Sequence, residues 1–208
     1  MFSELAMQEA LHKGLTAEQS QRLQEAKVAI VGLGGLGSNV AMWLARLGVG
    51  HLLLYDFDKV ELSNLNRQYY FLQDVGEYKA VALLEYLRQV NPYGDYQSKV
   101  VRLTEANLAE LVGEADIVCE ALDKPEAKAL LVNGILENFP DKYLVAASGL
   151  AGFDSCDDMQ VRRILPHFYL CGDGHSSFQE LPLCGARVGL CAAQEALTIA
   201  RIILGLEV

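Results

Sequence analysis

Lys27-Val28-Ala29-Ile30-Val31-Gly32-Leu33-Gly34-Gly35-Leu36-Gly37-Ser38 is the stretch that decides the fold. An apolar, β-branched run enters a Gly-x-Gly-x-x-Gly turn at Gly32, Gly34 and Gly37, and an apolar helix pattern follows over 39–47. A strand, a glycine turn and a helix in that order make a nucleotide phosphate site. The glycines let the backbone turn tightly and approach the phosphates, and the helix start offers free N–H groups and a positive dipole end. In this context the motif says that a nucleotide binds. It leaves open whether that is a dinucleotide for redox chemistry or ATP for activation.

Working outward, strand patterns at 28–31, 51–55, 96–103, 117–121 and 143–147 alternate with helix patterns at 38–47, 79–91, 105–112 and 126–138. The strands are apolar and β-branched, which implies burial on both faces. The expectation is an α/β, Rossmann-like fold with a mainly parallel sheet flanked by helices. Pro125 suits the first turn of its helix, and Asn91-Pro92 and Asn138-Phe139-Pro140 close the helices before them. Residues 1–26 read as a helical, amphipathic N-terminal extension. Thr16 and Gln19 form a capping box there, and Leu15 and Leu23 cover part of the core. Residues 149–182, broken by Gly149, Gly152, Gly172 and Gly174, read as a mobile loop region with a small antiparallel C-terminal excursion and one strand-like piece at 159–165. A last helix at 186–204 packs on the sheet. The whole chain, 1–208, reads as a single domain.

The net charge is −10, with 51% hydrophobic and 21% charged residues, as in a soluble globular protein. Without a Lys/Arg cluster, nucleic acid and anionic membranes are not expected partners. The apolar runs are too short to span a bilayer, and residues 1–13 lack the apolar core of a signal peptide. Cys119, Cys156, Cys171, Cys184 and Cys191 include no Cys-x-x-Cys pair, which argues against a disulfide scaffold and a four-cysteine zinc site. A reducing, cytoplasmic location is the expectation. The histidines form no spaced ligand pattern.

Asp56 lies 19 residues after Gly37 at the end of the second strand, where an acid accepts hydrogen bonds from ribose hydroxyls. A dehydrogenase and an adenylating enzyme would both use it. The loop that follows discriminates between them: it gathers Asn64, Asn66, Arg67 and Gln68 within five positions, and Lys79 then opens a helix. Fixed positive charges suit a triphosphate and the charge that builds on its α-phosphorus during attack. Asp123 follows the fourth strand, at the sheet edge where α/β enzymes bind ligands. Magnesium takes one or two carboxylates plus phosphate oxygens, so one Asp with ATP suffices. The alternative for Asp123 is a cap on the helix entering at Pro125.

These words together resemble the adenylating enzymes typified by ThiF, MoeB and the ubiquitin-activating enzymes. They are Gly32 to Ser38, Asp56-Phe57-Asp58, Asn64-Leu65-Asn66-Arg67-Gln68, Gly76-Glu77-Tyr78-Lys79-Ala80, Asp123 and Ser148-Gly149. The resemblance implies binding of MgATP and adenylation of the C-terminal glycine carboxylate of a small ubiquitin-like sulfur carrier protein, with release of pyrophosphate. Carried over by position, Gly32, Gly34, Gly35 and Gly37 cradle the phosphates and Asp56 holds the ribose, with Asp58 also in the nucleotide site. Asn64 and Arg67 contact the phosphates beside Gln68. Lys79 neutralises the leaving pyrophosphate, and Asp123 holds Mg²⁺. The segments 169–173 and 187–196 look like a short ThiF-like subgroup that activates the carrier ThiS for the thiazole of thiamine. The resemblance also implies a homodimer, and a carrier tail ending in Gly-Gly that lies toward 148–152.

The chain departs from the family at two places. Arg22 is the only arginine before the first strand, so an arginine supplied by a partner subunit has no clear counterpart. The family's reactive-cysteine loop is poorly matched. Cys184 is the first candidate and Cys171 the second, with ordinary packing as the alternative for both. The rival functions are an NAD(P)-dependent oxidoreductase, which leaves 64–68 idle; a family member that adenylates tRNA, disfavoured by the acidic charge; and a scaffold without turnover, disfavoured by Arg67, Lys79 and Asp123.

Overall fold

The computed structural model describes residues 2–206. Seven strands form one sheet: β1 (Lys27–Val31), β2 (His51–Asp56), β3 (Asp95–Val100), β4 (Ile117–Glu120), β5 (Tyr143–Ala147), β6 (Gln160–Leu165) and β7 (Phe168–Gly172). Their spatial order is β3-β2-β1-β4-β5-β7-β6. All neighbours pair in parallel except β6 with β7. The helices are α1 (Glu4–Leu11), α2 (Ala17–Glu25), α3 (Gly35–Leu47), α4 (Lys79–Val90), α5 (Glu105–Val112), α6 (Pro125–Asn138) and α7 (Gly185–Ile203).

Alternation along the central strands divides the core into two layers. Ile30, Leu52, Leu54, Cys119 and Val145 face α2, α3, α4 and α7. Ala29, Val31, Val118 and Leu144 face α5 and α6, where Leu108, Leu111, Leu131 and Ile135 are buried. This is the two-sided burial expected of a parallel sheet. Leu23 is buried in the first layer and Leu15 packs against it. The capping box at the start of α2 forms as read from the sequence: Thr16 Oγ1 accepts from the Gln19 N–H at 3.2 Å, and Gln19 Oε1 accepts from the Thr16 N–H at 3.0 Å.

The small antiparallel excursion expected within 149–182 is the β6–β7 pair, and β7 also lies against β5 in parallel, which joins both strands to the main sheet. The short Phe168–Gly172 run gave no strand signal because a glycine closes it and its partner lies across the fold. The third strand ends at Val100, and residues 101–103 turn into the cavity described below. The helix after the glycine turn begins at Gly35, three residues earlier than its apolar pattern, so Gly35 and Gly37 lie in its first turn. Among the described residues no helix is long and apolar enough to cross a membrane.

Candidate nucleotide site

The chain runs outward from β1 through β2 to β3, then returns to place β4 on the other side of β1. Such a reversal opens a crevice at the carboxyl ends of the strands. A cavity of about 370 Å³ lies there, and Gly32, Gly34, Gly35, Asp56, Asp58, Arg67, Gln68, Lys79 and Asp123 all line it. Nine residues spread over 92 positions of sequence therefore meet at one place.

Each glycine has its own reason. Gly32 has φ +92°, and a Cβ there would sit 2.5 Å from the Ala121 carbonyl oxygen. A Cβ on Gly37 would sit 1.9 Å from the Gly32 carbonyl oxygen. Gly37 is thus outside the cavity wall and acts by letting α3 close on β1. Gly34 is the N-cap of α3 and offers no side-chain cap, so the first-turn N–H groups stay available at the cavity. A Cβ on Gly35 would meet Val188 Cγ1 at 2.9 Å.

The polar start of α3 fastens the loop that the sequence singled out. Ser38 Oγ accepts from the Tyr69 N–H at 3.0 Å, Asn39 Nδ2 donates to the Arg67 carbonyl at 3.1 Å, and the Tyr70 hydroxyl donates to the Leu33 carbonyl at 2.8 Å. Sequence reasoning missed these three, although Ser38 and Asn39 directly follow the motif. Asn64 is not brought to the cavity. It is buried, its Oδ1 accepts from the Glu61 N–H at 3.1 Å, and its carbonyl accepts from the N–H groups of Arg67 and Gln68. It shapes the loop, and Arg67 and Gln68 present themselves from that shape.

Arg67 is half-buried and bonded through Nη1 to neutral oxygens, the Ser63 carbonyl at 3.1 Å and Asn66 Oδ1 at 2.7 Å. Among the described residues no carboxylate pairs with it, so its charge is uncompensated. Gln68 is buried, and its Oε1 has no hydrogen-bond partner among the described residues. A buried acceptor left open in a cavity wall marks where a ligand donor belongs. Lys79 is nearly enclosed, with Nζ 3.6 Å from Asp58 Oδ2. Asp56 Oδ2 accepts from the Leu33 N–H and Oδ1 from the Asp58 N–H, both at 2.7 Å. Burial pushes the Asp56 carboxyl up from its usual value, against these bonds and the nearby Lys79. A carboxylate has about four acceptor sites, so the two bonds leave capacity for ribose hydroxyls.

Asp123 is exposed at the cavity rim and caps nothing: the N-cap of α6 is Lys124, and it makes no side-chain cap bond. The turn carrying Asp123 is held by a buried ion pair that the sequence did not signal. Lys128 Nζ donates to both Glu120 oxygens at 3.0 and 2.8 Å and to the Ala147 carbonyl at 3.2 Å, while Glu120 Oε1 accepts from the Leu122 N–H at 2.8 Å. Among the described residues no group of three or more His, Cys, Asp or Glu side chains could hold a metal ion. The donor set therefore fits a cation that shares one carboxylate with phosphate oxygens, and does not fit a cage built by protein alone.

The cysteine candidates fall outside the cavity wall. Cys184 is the half-buried N-cap of α7, between Leu183 and Gly185. Cys171 is fully buried and burial pushes its thiol far up, which removes it as a thiolate. Cys119 and Cys191 are raised by burial in the same way. His12 and His51 are structural: His12 contacts Ser20 Oγ at 2.6 Å and His51 contacts Asp95 Oδ2 at 3.1 Å.

Beneath the Glu120–Lys128 pair lies Glu195, fully buried on α7. The Cys119 thiol donates to its Oε1 at 3.9 Å, and its Oε2 has no partner among the described residues. Burial first, then the Glu120 charge, push its carboxyl well up. From the unfolded pKa of about 4.3 up to the folded value, the native state holds a proton that the unfolded chain releases. Stability therefore falls as pH rises through that window. Glu195→Gln removes the titration. Its melting temperature relative to wild type is expected to rise as pH increases above about 5, and a constant difference across that range would show that Glu195 does not titrate there.

A family model described as the ThiF family matches residues 6–205. A sulfur carrier protein adenylyltransferase of Thermus thermophilus is 39% identical over 129 residues, 62% of this chain and 42% of that protein. An adenylyltransferase and sulfurtransferase, uba4, of Aspergillus clavatus is 40% identical over 130 residues, 62% of this chain and 26% of that protein. The chain thus spans less than half the length of these relatives. Among solved structures, the E. coli tRNA N6-threonylcarbamoyladenosine dehydratase TcdA in complex with ATP has a TM-score of 0.84 at 21% identity, covering 97% of this chain and 94% of that one. That likeness shows the shared fold.

Proposed function

The chain belongs to the ThiF family, and from that premise we propose that it adenylates the C-terminal glycine carboxylate of a small ubiquitin-like sulfur carrier protein with ATP. The carboxylate oxygen attacks the α-phosphorus in line, the bond to the β-phosphate oxygen breaks, and a carrier acyl-adenylate and pyrophosphate result. A carboxylate is ionised at neutral pH, so no general base is required. The protein contributes position and charge.

One observation carries this reading: Arg67, Gln68 and Lys79 fold back over the glycine turn into the same cavity as Asp123. In a plain nicotinamide site these side chains would have no task. In the proposed complex the amino end of α3 faces the phosphates and Asp56 takes the ribose. Arg67 and Lys79 balance the pyrophosphate as it leaves. Asp123 would hold Mg²⁺ with phosphate oxygens, the cation adding charge neutralisation there. The base would lie against Phe57, Val101 and Leu103, where the Arg102 guanidinium stacks on the Phe57 ring at 3.9 Å. The carrier tail would enter along 148–152, where Ser148, Gly149, Ala151 and Gly152 leave room for two glycines.

Within this reading the carrier is of the ThiS type and the product serves thiazole formation, a choice supported by the likeness of segments 169–173 and 187–196 to a ThiF-like subgroup. A homodimer in a cytoplasmic setting is part of the same proposal. The test is ATP–pyrophosphate exchange with a ThiS-type carrier ending in Gly-Gly, run beside NAD(P)H binding and tRNA binding. Exchange that needs the intact Gly-Gly end is the expected result. NAD(P)H binding without exchange, or exchange that needs tRNA instead, would replace the proposal with one of its rivals.

A further inference from the structure

The cavity wall opposite the glycine turn is held by a knot of buried charge. The Asp173 and Arg187 side chains are 0% and 5% exposed and meet at 2.7 Å. Asp173 Oδ2 also accepts from the Ser176 hydroxyl at 2.6 Å, and its Oδ1 accepts from the N–H groups of His175 and Ser176, both at 2.8 Å. Arg187 Nη1 donates to the carbonyls of Asp154 and Ser155 at 2.6 and 3.0 Å. Burial would raise the Asp173 carboxyl, but the bonds from Ser176, His175 and Arg187 outweigh it and hold it far below the usual carboxylate range. Asp173 therefore stays a carboxylate at working pH.

Three further ties from this knot lead to one short segment. Ser176 Oγ accepts from the Ala151 N–H at 3.0 Å. The Asp173 N–H donates to the Gly149 carbonyl and the Gly174 N–H to the Ser148 carbonyl, both at 2.9 Å. Gly149 has φ +76°, and a Cβ there would lie 1.9 Å from Asp173 Oδ1, so only glycine lets the carboxylate come so close. Gly149, Leu150 and Ala151 line the cavity, and so does Ser176. The backbone N–H and C=O of Leu150, between these anchors, make no hydrogen bond within the described residues. A rigidly held segment of a cavity wall with an unpaired backbone donor and acceptor is suited to pair with an extended main chain.

We propose that Asp173 and Arg187, acting through Ser176, are positioning residues for the acceptor: they set 148–151 as the rail on which the carrier's C-terminal peptide seats. This rests on the adenylation reading and adds to it a division of labour. The nucleotide half is built on β1, β2 and the start of α3, whose hydrogen bonds do not pass through the knot. Loosening the knot should therefore weaken use of the carrier and spare ATP.

The test measures exchange against the concentration of a ThiS-type carrier ending in Gly-Gly, and MgATP binding by calorimetry, for the full chain and three variants. Asp173→Asn should raise the half-saturating carrier concentration by about tenfold or more, the equivalent of losing one charge-assisted contact, with MgATP affinity within about twofold of wild type. Arg187→Lys keeps the charge opposite Asp173 but loses the fork to Asp154 and Ser155, and should fall between wild type and Asp173→Asn. Where Asp173→Asn does not fold, Ser176→Ala should show the same split at smaller size. Unchanged carrier dependence in folded variants, or equal weakening of carrier and MgATP, would overturn the inference while the adenylation reading stands. A wild-type chain without any exchange would overturn both.

Discussion

Lys79→Ala is expected to slow carrier-dependent ATP–pyrophosphate exchange by about 10²–10³-fold, the usual cost of removing one preorganised group aimed at developing charge. The size follows from its setting. The ammonium is nearly enclosed, with 8% of the side chain exposed, and its carboxylate partner Asp58 stands off at 3.6 Å and is half-exposed itself. A cation shielded from water and loosely paired keeps most of its field for a ligand. Its removal leaves Asp56 and Asp58 without a compensating charge, so the folded state should also lose about 1 kcal/mol. The chain as a whole should still fold, since the α4 backbone is anchored by the Lys79 N–H on the Asp58 carbonyl at 3.0 Å. Exchange rate and melting temperature measured together separate the two effects. Unchanged exchange in a folded Lys79→Ala would remove Lys79 from the mechanism.

Gly37→Ala should act on the fold. The new methyl would stand 1.9 Å from the Gly32 carbonyl oxygen and 3.1 Å from Ile30 Cγ2. Forcing atoms into a packed core costs about 1–3 kcal/mol. Here the obstacle is backbone at the turn itself, which cannot swing aside, so a loss of about 3 kcal/mol or outright failure to fold is expected. Gly34→Ala is the contrast. Its methyl would lie 3.7 Å from Gln68 Nε2 and touch nothing else. That variant should melt as wild type does while binding MgATP more weakly, because the methyl sits at the amino end of α3 inside the cavity. Urea unfolding for both, with nucleotide binding for the second, checks the pair. Equal stability of the two variants would contradict the packing role of Gly37.

The β1–turn–α3 unit was legible because local sequence order alone dictates it: apolar strand, obligatory glycines, apolar helix. Asp56, Lys79 and Asp123 were legible because strand ends and helix starts place them at the carboxyl edge of a parallel sheet. The Asn64 amide was read as a phosphate contact, whereas it closes its own loop, and spacing cannot say which way an amide in a turn points. Gly37 was placed with the phosphate glycines, whereas it serves helix–strand contact. The Asp173–Arg187 knot and the Glu120–Lys128 pair join residues on different elements across the sheet edge. No periodicity marks such a pairing, and only the assembled fold brings it together. The same holds for β7, whose partner β5 lies in a separate stretch of the chain.

The most direct measurement is the intact mass of a ThiS-type carrier ending in Gly-Gly after incubation with the chain, ATP and Mg²⁺ under conditions that preserve acyl-adenylates. A carrier gaining the mass of one adenylyl group, with no gain when the two terminal glycines are deleted, is the predicted result. A carrier of unchanged mass, with ATP bound to a folded chain and no pyrophosphate released, would contradict it.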